Sequence, residues 1–239
     1  MMALLTDPQV WASFATLALL EIILGIDNLI FLSVITSRLP EHRQARARLI
    51  GLLGALVMRI GLLLGIAWII SLQKPFMTVF GQGVSWRDLI LMGGGLFLLY
   101  KGTTEIHATV EGEDDHGNAT KAASIGFAAA IAQIMALDMV FSLDSVITAV
   151  GMVDHIEVMI AAVTAAIGVM IFAADPVADF IQRHPTTKML ALSFLLLIGV
   201  ALVADGLHFH IPRGYLYFAV GFSALVEVLN LTARKRRRA

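Results

Sequence analysis

Most of this chain consists of apolar runs that are long enough to cross a lipid bilayer. No charged side chain occurs in residues 49–58, 60–72 or 189–204. Hydrophobic residues make up 58% of the 239 positions and charged residues only 15%, whereas about a quarter of the residues in a soluble domain are charged. In lipid the backbone must satisfy its own hydrogen bonds, which an α-helix does within one segment. The sequence therefore predicts an all-α integral membrane protein.

Seven segments approach the length of about 20 residues that a helical crossing needs. They are residues 10–36, 49–72, 86–106, 122–153, 156–180, 187–204 and 215–231. In the third segment only residues 89–100 lack charge, so it crosses if Arg87 and Lys101 extend towards the two interfaces. The N-terminus has neither the basic residues nor the cleavage site of a signal peptide, so we expect the first helix to be retained.

Basic residues predict the orientation, because they accumulate on the cytoplasmic side of membrane proteins. With seven spans, thirteen Lys and Arg residues fall on one side and three on the other. The thirteen are Arg38, Arg43, Arg46, Arg48, Lys101, Lys121, Arg183, Lys188, Arg234, Lys235, Arg236, Arg237 and Arg238. The other three are Lys74, Arg87 and Arg213. We therefore predict that the N-terminus lies outside and the C-terminus lies in the cytoplasm.

Two of the spans carry the same arrangement of polar residues. The matching pairs, 117 positions apart, are Glu21 with Asp138, Asp27 with Asp144, and Asn28 with Ser145. A carboxylate at membrane depth costs several kcal/mol and therefore usually lines a binding site or a pathway. The same costly arrangement in two places points to a transporter built from two related halves.

The two halves define a predicted domain organisation. We expect one transmembrane domain over residues 1–239, with a first repeat at about 10–106, a second at about 122–208, and an additional seventh helix at about 215–231. Because each repeat contains three spans, the second repeat is inverted in the membrane relative to the first. A similarity between residues 95–102 and 199–206 either belongs to this repeat or arises by chance. No soluble regulatory domain is expected.

The paired motifs predict a metal site near the middle of the membrane. The predicted ligands are Glu21, Asp27, Asn28, Asp138, Asp144 and Ser145. Such an oxygen-rich, anionic set suits hard divalent cations such as Mg²⁺, Ca²⁺ and Mn²⁺. Zinc and copper are disfavoured, since the chain has no Cys and the spans contain no interior His. Residues six apart lie about 120° apart around a helix, so we expect unwinding near Gly25 and, in the fourth span, near Ser142.

Other charged residues within the spans have predicted roles beside this site. Arg59, in the second span, is the candidate to balance the charge of the acids when no metal is bound, whether or not its role is also structural. Glu227, Lys101 and Asp205 are candidates to extend the pathway. Asp175 precedes Pro176 and is expected to mark a helix break or the cytoplasmic end of the fifth span.

The sequence resembles the TerC family of integral membrane proteins, named for tellurium resistance. The resemblance rests on residues 20–31, 138–146 and 210–219, followed by Phe222, Ser223 and Glu227. It implies a seven-helix fold related to the lysine-exporter superfamily and a link to the export of metal ions, chiefly manganese. The acids of the two motifs, Glu21, Asp27, Asp138 and Asp144, occupy the positions of the family's motifs.

We therefore expect a divalent metal transporter of the bacterial inner membrane, most simply one that exports Mn²⁺ by alternating access. Closely placed carboxylates exchange metal for protons, which suggests proton coupling. The alternatives are a membrane scaffold that delivers metal to exported enzymes and an intramembrane aspartyl protease, whose Gly-x-Gly-Asp motif the chain lacks. We expect no enzymatic activity and no permanently bound cofactor. The expected partners are membrane lipids, divalent metal ions and a homo-oligomer or membrane partner, without nucleic acid.

Overall fold

Helices account for most of the chain, as the composition predicts. The structure, a computed structural model, describes residues 7–79, 82–111, 126–153 and 155–238. Its helices are α1 (Pro8–Ser37), α2 (Glu41–Leu64), α3 (Ile66–Leu72), α4 (Trp86–Glu111), α5 (Phe127–Met152), α6 (Ile156–Arg183), α7 (Pro185–Gly206) and α8 (Arg213–Arg238). A short antiparallel hairpin, β1 (Pro75–Val79) and β2 (Gln82–Ser85), precedes α4.

Six of the described helices are long and apolar enough to cross a membrane. The qualifying segments are Pro8–Ser37, Glu41–Leu64, Phe127–Ile147, Ile156–Arg183, Pro185–Gly206 and Gly214–Ala233. Helix α4 is not among them, although it begins at Trp86 as predicted. Its uncharged stretch is short, and it ends in the polar sequence up to Glu111. The structure thus supports a predominantly helical membrane protein with six clear spans.

The structure corrects several predicted boundaries. Helix α2 begins at Glu41 rather than at residue 49, and the second span is interrupted at Gly65 before α3 continues. The segment after α3 forms the β1–β2 hairpin, with Val79 paired to Gln82, where a loop was expected. Helix α6 does not break at Pro176 but continues to Arg183. A proline within a long helix removes one hydrogen bond and need not end it when the flanking turns are packed.

The chain forms two compact units, the first of which contains residues 1–87 and 123–179. Within it α1, α2 and α5 pack closely because α2 presents small residues to its neighbours. A Cβ atom on Gly51 would lie 2.9 Å from Ile134 Cγ2 and 3.4 Å from Leu32 Cδ1. A Cβ on Gly54 would lie 3.0 Å from Met135 Sδ. Glycine at these positions therefore lets the α2 backbone approach α5.

The second unit contains residues 88–122 and 180–239, and within it α4 packs on α7 through glycines. A Cβ on Gly95 would lie 2.7 Å from the Gly199 carbonyl oxygen, and one on Gly199 would lie 3.0 Å from the Gly95 carbonyl oxygen. The three glycine contacts are Gly95 with Gly199, Gly102 with Leu196, and Gly206 with Met92. Residue numbers rise along α4 as they fall along α7, so the two helices are antiparallel.

We predict that Gly95→Ala destabilises the protein by about 1–3 kcal/mol, because the new methyl group meets backbone atoms that cannot rotate away. Gly93→Ala is the matched control on the same helix, since no described atom lies within 4 Å of its Cβ position. That control should be neutral or stabilising by up to about 1 kcal/mol. Thermal unfolding in detergent, followed by circular dichroism, measures both. Equal midpoints for the two variants would contradict the close packing of α4 on α7.

Candidate functional site

Arg59 joins three helices of the first unit through two carboxylates. Its Nη2 donates to Asp138 Oδ1 at 2.7 Å and its Nε donates to Asp138 Oδ2 at 3.2 Å. Its Nη1 donates to Glu21 Oε2. All three residues are almost completely buried, with exposed fractions of 3% for Arg59, 2% for Glu21 and 6% for Asp138. The guanidinium thus holds one carboxylate in a two-point fork and the other through its remaining edge.

The positions of these side chains follow from the faces of their helices. Gly51, Ala55 and Arg59 are spaced by four residues, so they lie on one face of α2. The two small residues let α2 approach α5, and the long Arg59 side chain then reaches Asp138. Helix α1 places Glu21 at the remaining Nη1 of the same guanidinium. Each helix supplies one charged member of what we call the Arg59 cluster.

Two neutral side chains complete the coordination of Asp138. Asn28 Nδ2 donates to Oδ1 at 3.1 Å, and Ser142 Oγ donates to Oδ2 at 3.0 Å. Together with the two bonds from Arg59, Asp138 accepts four hydrogen bonds. Ser142 is fully buried and lies one helical turn after Asp138. These four hydrogen bonds fix the orientation of the buried carboxylate.

The Arg59 cluster contains two acidic side chains and one basic side chain. With Glu21 and Asp138 ionised, two carboxylates face one guanidinium, which leaves one net negative charge in the interior of the unit. Such a charge requires a further cation or proton in its neighbourhood, because desolvation penalises an unbalanced buried ion. The electrostatics of the cluster therefore favour cations over anions and over neutral ligands.

A small cavity adjoins the cluster. Its volume is about 20 Å³, enough for about one water molecule or one cation without its hydration shell. Asn28 and Asp138 are its polar lining residues. The other lining residues are Phe31, Leu32, Gly51, Leu52, Ala55, Ile134 and Leu137. An ion in this cavity would have Asn28 and Asp138 as its polar neighbours among otherwise apolar residues.

The structure brings together four of the predicted residues, which are Glu21, Asn28, Asp138 and Arg59. Ser145 is buried but donates to the Ser142 carbonyl oxygen of its own helix at 3.4 Å. The side chains of Asp27 and Asp144 lie outside the described residues. Among the residues that are described, His, Asp and Glu side chains form no group of three or more that could hold a metal ion. The full predicted ligand set therefore stays a prediction.

Two features of the site differ from the sequence-based expectation. Helices α1 and α5 continue without unwinding through Gly25 and Ser142. Gly25 instead gives space to Met170 of α6, which packs directly against the α1 backbone. Ser142 was expected only as a point of unwinding, yet it is a partner of Asp138. The spacing of four residues from Asp138 is the signal that would have identified this hydrogen bond.

The predicted pathway residues Glu227, Lys101 and Asp205 belong to the second unit. Glu227 Oε1 accepts hydrogen bonds from the hydroxyl groups of Thr186 and Thr187, the latter at 3.1 Å. This carboxylate borders a groove of about 420 Å³ between α7 and α8. The side chain of Asp205 lies 3.4 Å from His210 Nδ1. A role of these residues in transport stays a prediction.

Comparison with known proteins assigns the chain to a family. The family model described as "Integral membrane protein TerC family" matches residues 6–239. The chain belongs to the TerC family. The "UPF0053 inner membrane protein YgdQ" of Escherichia coli K12 is 54% identical over 234 residues, which cover 98% of each chain. A "UPF0053 protein" of Haemophilus influenzae is 50% identical over 231 residues, or 97% of each chain.

This TerC protein also resembles part of a longer relative. The "UPF0053 inner membrane protein YoaE" of Escherichia coli K12 is 52% identical over 235 residues, which cover 98% of this chain but only 45% of YoaE. No solved structure shows a significant match. The names of the relatives and the six apolar helices together place the protein in the bacterial inner membrane as a multi-pass protein.

The Arg59 cluster makes a testable prediction about stability. Arg59→Met leaves Glu21 and Asp138 buried without their cation. The free energy of unfolding should therefore fall by about 3–5 kcal/mol. The triple variant Arg59→Met, Glu21→Gln, Asp138→Asn removes all three charges and should recover most of this loss. Arg46→Met is the matched control, because Arg46 is exposed on the same helix. Denaturant titration in detergent micelles measures the four proteins. A triple variant as unstable as Arg59→Met would contradict the electrostatic explanation.

Proposed function

We propose that this protein transports divalent metal cations out of the cell, with Mn²⁺ as the first candidate, by alternating access and in exchange for protons. The Arg59 cluster is the observation that carries the proposal. It pairs two buried carboxylates with one guanidinium and adds an amide and a hydroxyl that donate to Asp138, all in segments that are apolar enough to cross a membrane. Buried charges of this kind in membrane helices usually serve the passage of ions.

The chemistry of the cluster favours a hard cation. Its candidate ligand atoms are carboxylate and amide oxygens from Glu21, Asp138 and Asn28, and the described spans bring no His to this site. Oxygen donors suit Mg²⁺, Ca²⁺ and Mn²⁺. The carboxylates of Asp27 and Asp144, if they join the site, would increase its charge and its affinity for divalent ions. Mn²⁺ comes first because the family resemblance implies it.

Arg59 has a defined place in this mechanism. In the described state its guanidinium occupies the carboxylate edges that a metal ion would use. A divalent cation that enters the adjacent cavity competes with this internal cation for Asp138. Metal binding therefore replaces the guanidinium of Arg59 by a mobile cation beside the carboxylates. When the metal leaves, Arg59 or a proton again offsets the charge of the carboxylates. This exchange limits the unbalanced charge of the site throughout a transport cycle.

We further propose seven spans, with α4 as the third, arranged as two inverted repeats plus α8. The contacts between α4 and α7 support this arrangement. An offset of 104 residues relates Gly95 to Gly199, Gly102 to Gly206 and Met92 to Leu196. The same offset converts the contact of Gly102 with Leu196 into the contact of Gly206 with Met92. Reciprocal contacts between antiparallel helices are what a two-fold axis between inverted repeats would produce.

Flux measurements in proteoliposomes test the transport function. The purified parent protein should move Mn²⁺ faster than Mg²⁺, Ca²⁺ or Zn²⁺, and an imposed pH gradient should change the rate. Asp138→Asn removes the charge that Arg59 and the metal share, so its Mn²⁺ flux should fall at least about tenfold. Glu157→Gln, an exposed carboxylate in the first turn of α6, is the control and should transport normally. Tight Mn²⁺ binding without flux would contradict transport and favour metal delivery.

Reporter fusions test the proposed topology. Green fluorescent protein fused after Ala239 should fluoresce, because the C-terminus is expected in the cytoplasm. Alkaline phosphatase inserted between β1 and β2 should be active, because this hairpin is expected outside the membrane on the opposite side. An inactive phosphatase at the hairpin, with full-length protein present, would remove α4 from the set of spans and the inverted repeat with it.

A further inference from the structure

Three buried polar atoms of the first unit have no hydrogen-bond partner among the described residues. They are Ser33 Oγ in α1, Arg48 Nη1 in α2 and Gln133 Oε1 in α5. The neighbours of Ser33 behave differently, since the hydroxyl groups of Thr36 and Ser37 donate to backbone carbonyl oxygens of their own helix at 2.8 Å. A buried polar group without a partner is costly, so such groups usually bind ordered water.

Along their helices, the three residues lie on one side of a single apolar layer. At Gly51 the three helices converge, because a Cβ there would touch both Leu32 and Ile134. Ser33 is one residue beyond Leu32 in α1, and Gln133 is one residue before Ile134 in α5. Contacts of Asp138 with Asn28 and Arg59 establish that α5 runs antiparallel to α1 and parallel to α2.

The same helix directions place Arg48 on the same side of the layer as Ser33 and Gln133. Arg48 precedes Gly51 by three residues, or about 4.5 Å along α2. Along the helix axes, all three residues therefore lie within about one turn of the layer, towards the end at which α1 ends and α2 and α5 begin. The cavity beside Asn28 and Asp138 is lined by Leu32, Gly51 and Ile134 and extends away from that end. The layer thus separates two polar regions.

The region around Ser33, Arg48 and Gln133 has a polar exit. Arg48 Nε donates to Asp175 Oδ1 at 2.7 Å, and the side chain of Arg48 is only 8% exposed. Asp175 is 61% exposed, so the ion pair extends from the interior of the unit to its surface. Asp175 offsets the charge of Arg48. The Nη1 group of Arg48, which has no partner among the described residues, can therefore donate a hydrogen bond to water.

We propose that Ser33, Arg48 and Gln133 line a water-filled vestibule, which a one-layer gate of Leu32, Gly51 and Ile134 separates from the cavity beside Asp138. The vestibule holds water and, where the proposed transport function holds, a hydrated divalent cation before it reaches Asp138. In the proposed topology this vestibule faces the cytoplasm. The unpaired donor and acceptors hold the water, and the apolar gate prevents its continuous passage to the Arg59 cluster.

Cysteine accessibility tests the vestibule directly, because the chain contains no native Cys. Ser33→Cys and Gln133→Cys are treated with a membrane-impermeant trimethylammonium methanethiosulfonate, applied to either face of membrane vesicles. Thr36→Cys is the matched control, since Thr36 is 0% exposed and lies closer to the end of α1 than Ser33 does. From the face at which α1 ends, both vestibule variants should react about tenfold faster than Thr36→Cys. Equal rates at Ser33 and Thr36, or no reaction at both vestibule positions, would overturn the proposal.

A second variant pair tests the gate. Asn28→Cys, beyond the gate, should react slowly from the face at which α1 ends, and adding Ile134→Ala should raise its rate about tenfold by removing part of the apolar layer. Adding Met135→Ala instead should not, because Met135 contacts Gly54 and does not line the cavity. Rapid reaction of Asn28→Cys alone would contradict a closed gate. These rates require no metal flux, so the vestibule can stand if transport fails, and it can fail while transport stands.

Discussion

The bridge from Arg59 to Glu21 and Asp138 is the interaction on which the first unit depends. It ties α1, α2 and α5 at one level, and each of its members is buried almost completely. None of the three charges is tolerable there alone, since an unpaired ion in a low-dielectric interior costs several kcal/mol. The close approach at Gly51 and Gly54 is a condition of the bridge, because a larger side chain on α2 would hold α5 too far away for the guanidinium fork.

In the proposed mechanism the bridge also explains how an anionic site can exist without its substrate. Two carboxylates near each other repel, and a site that waits for a metal needs an internal cation in the meantime. Arg59 supplies one that cannot leave and that remains charged under all physiological conditions. In the proposed mechanism a divalent cation must therefore outcompete a tethered monovalent one, which favours ions of higher charge. Monovalent ions gain too little from the same carboxylates to displace it.

The sequence predicted that Arg59 pairs with these acids, because charge at membrane depth is rare and therefore informative. Glu21, Asp138 and Arg59 stand out against apolar neighbours, and their proximity follows from the need to pair them. Ser142, which no charge requires beside Asp138, was missed as a partner. Ser142 carries no charge, and serines in apolar helices most often bond to their own backbone. The early start of α2 was missed because Arg48 looked like a loop residue. Arg48 pairs with Asp175, 127 positions away, and the sequence around Arg48 does not indicate such a distant partner.

The expected unwinding at Gly25 was wrong for a reason that bears on the mechanism. Discontinuous helices are one way to bring backbone oxygens to a substrate, but here α1 stays helical and Gly25 gives its space to Met170. In the proposed mechanism the ligands then come from side chains on continuous helices, which the Arg59 bridge ties together. Asn28 and Leu32 are one turn, about 6 Å, apart on α1. In the proposed mechanism, a cation that displaces Arg59 loosens the tie between α1 and α5 one turn from the gate, so that binding and opening are coupled through one helix.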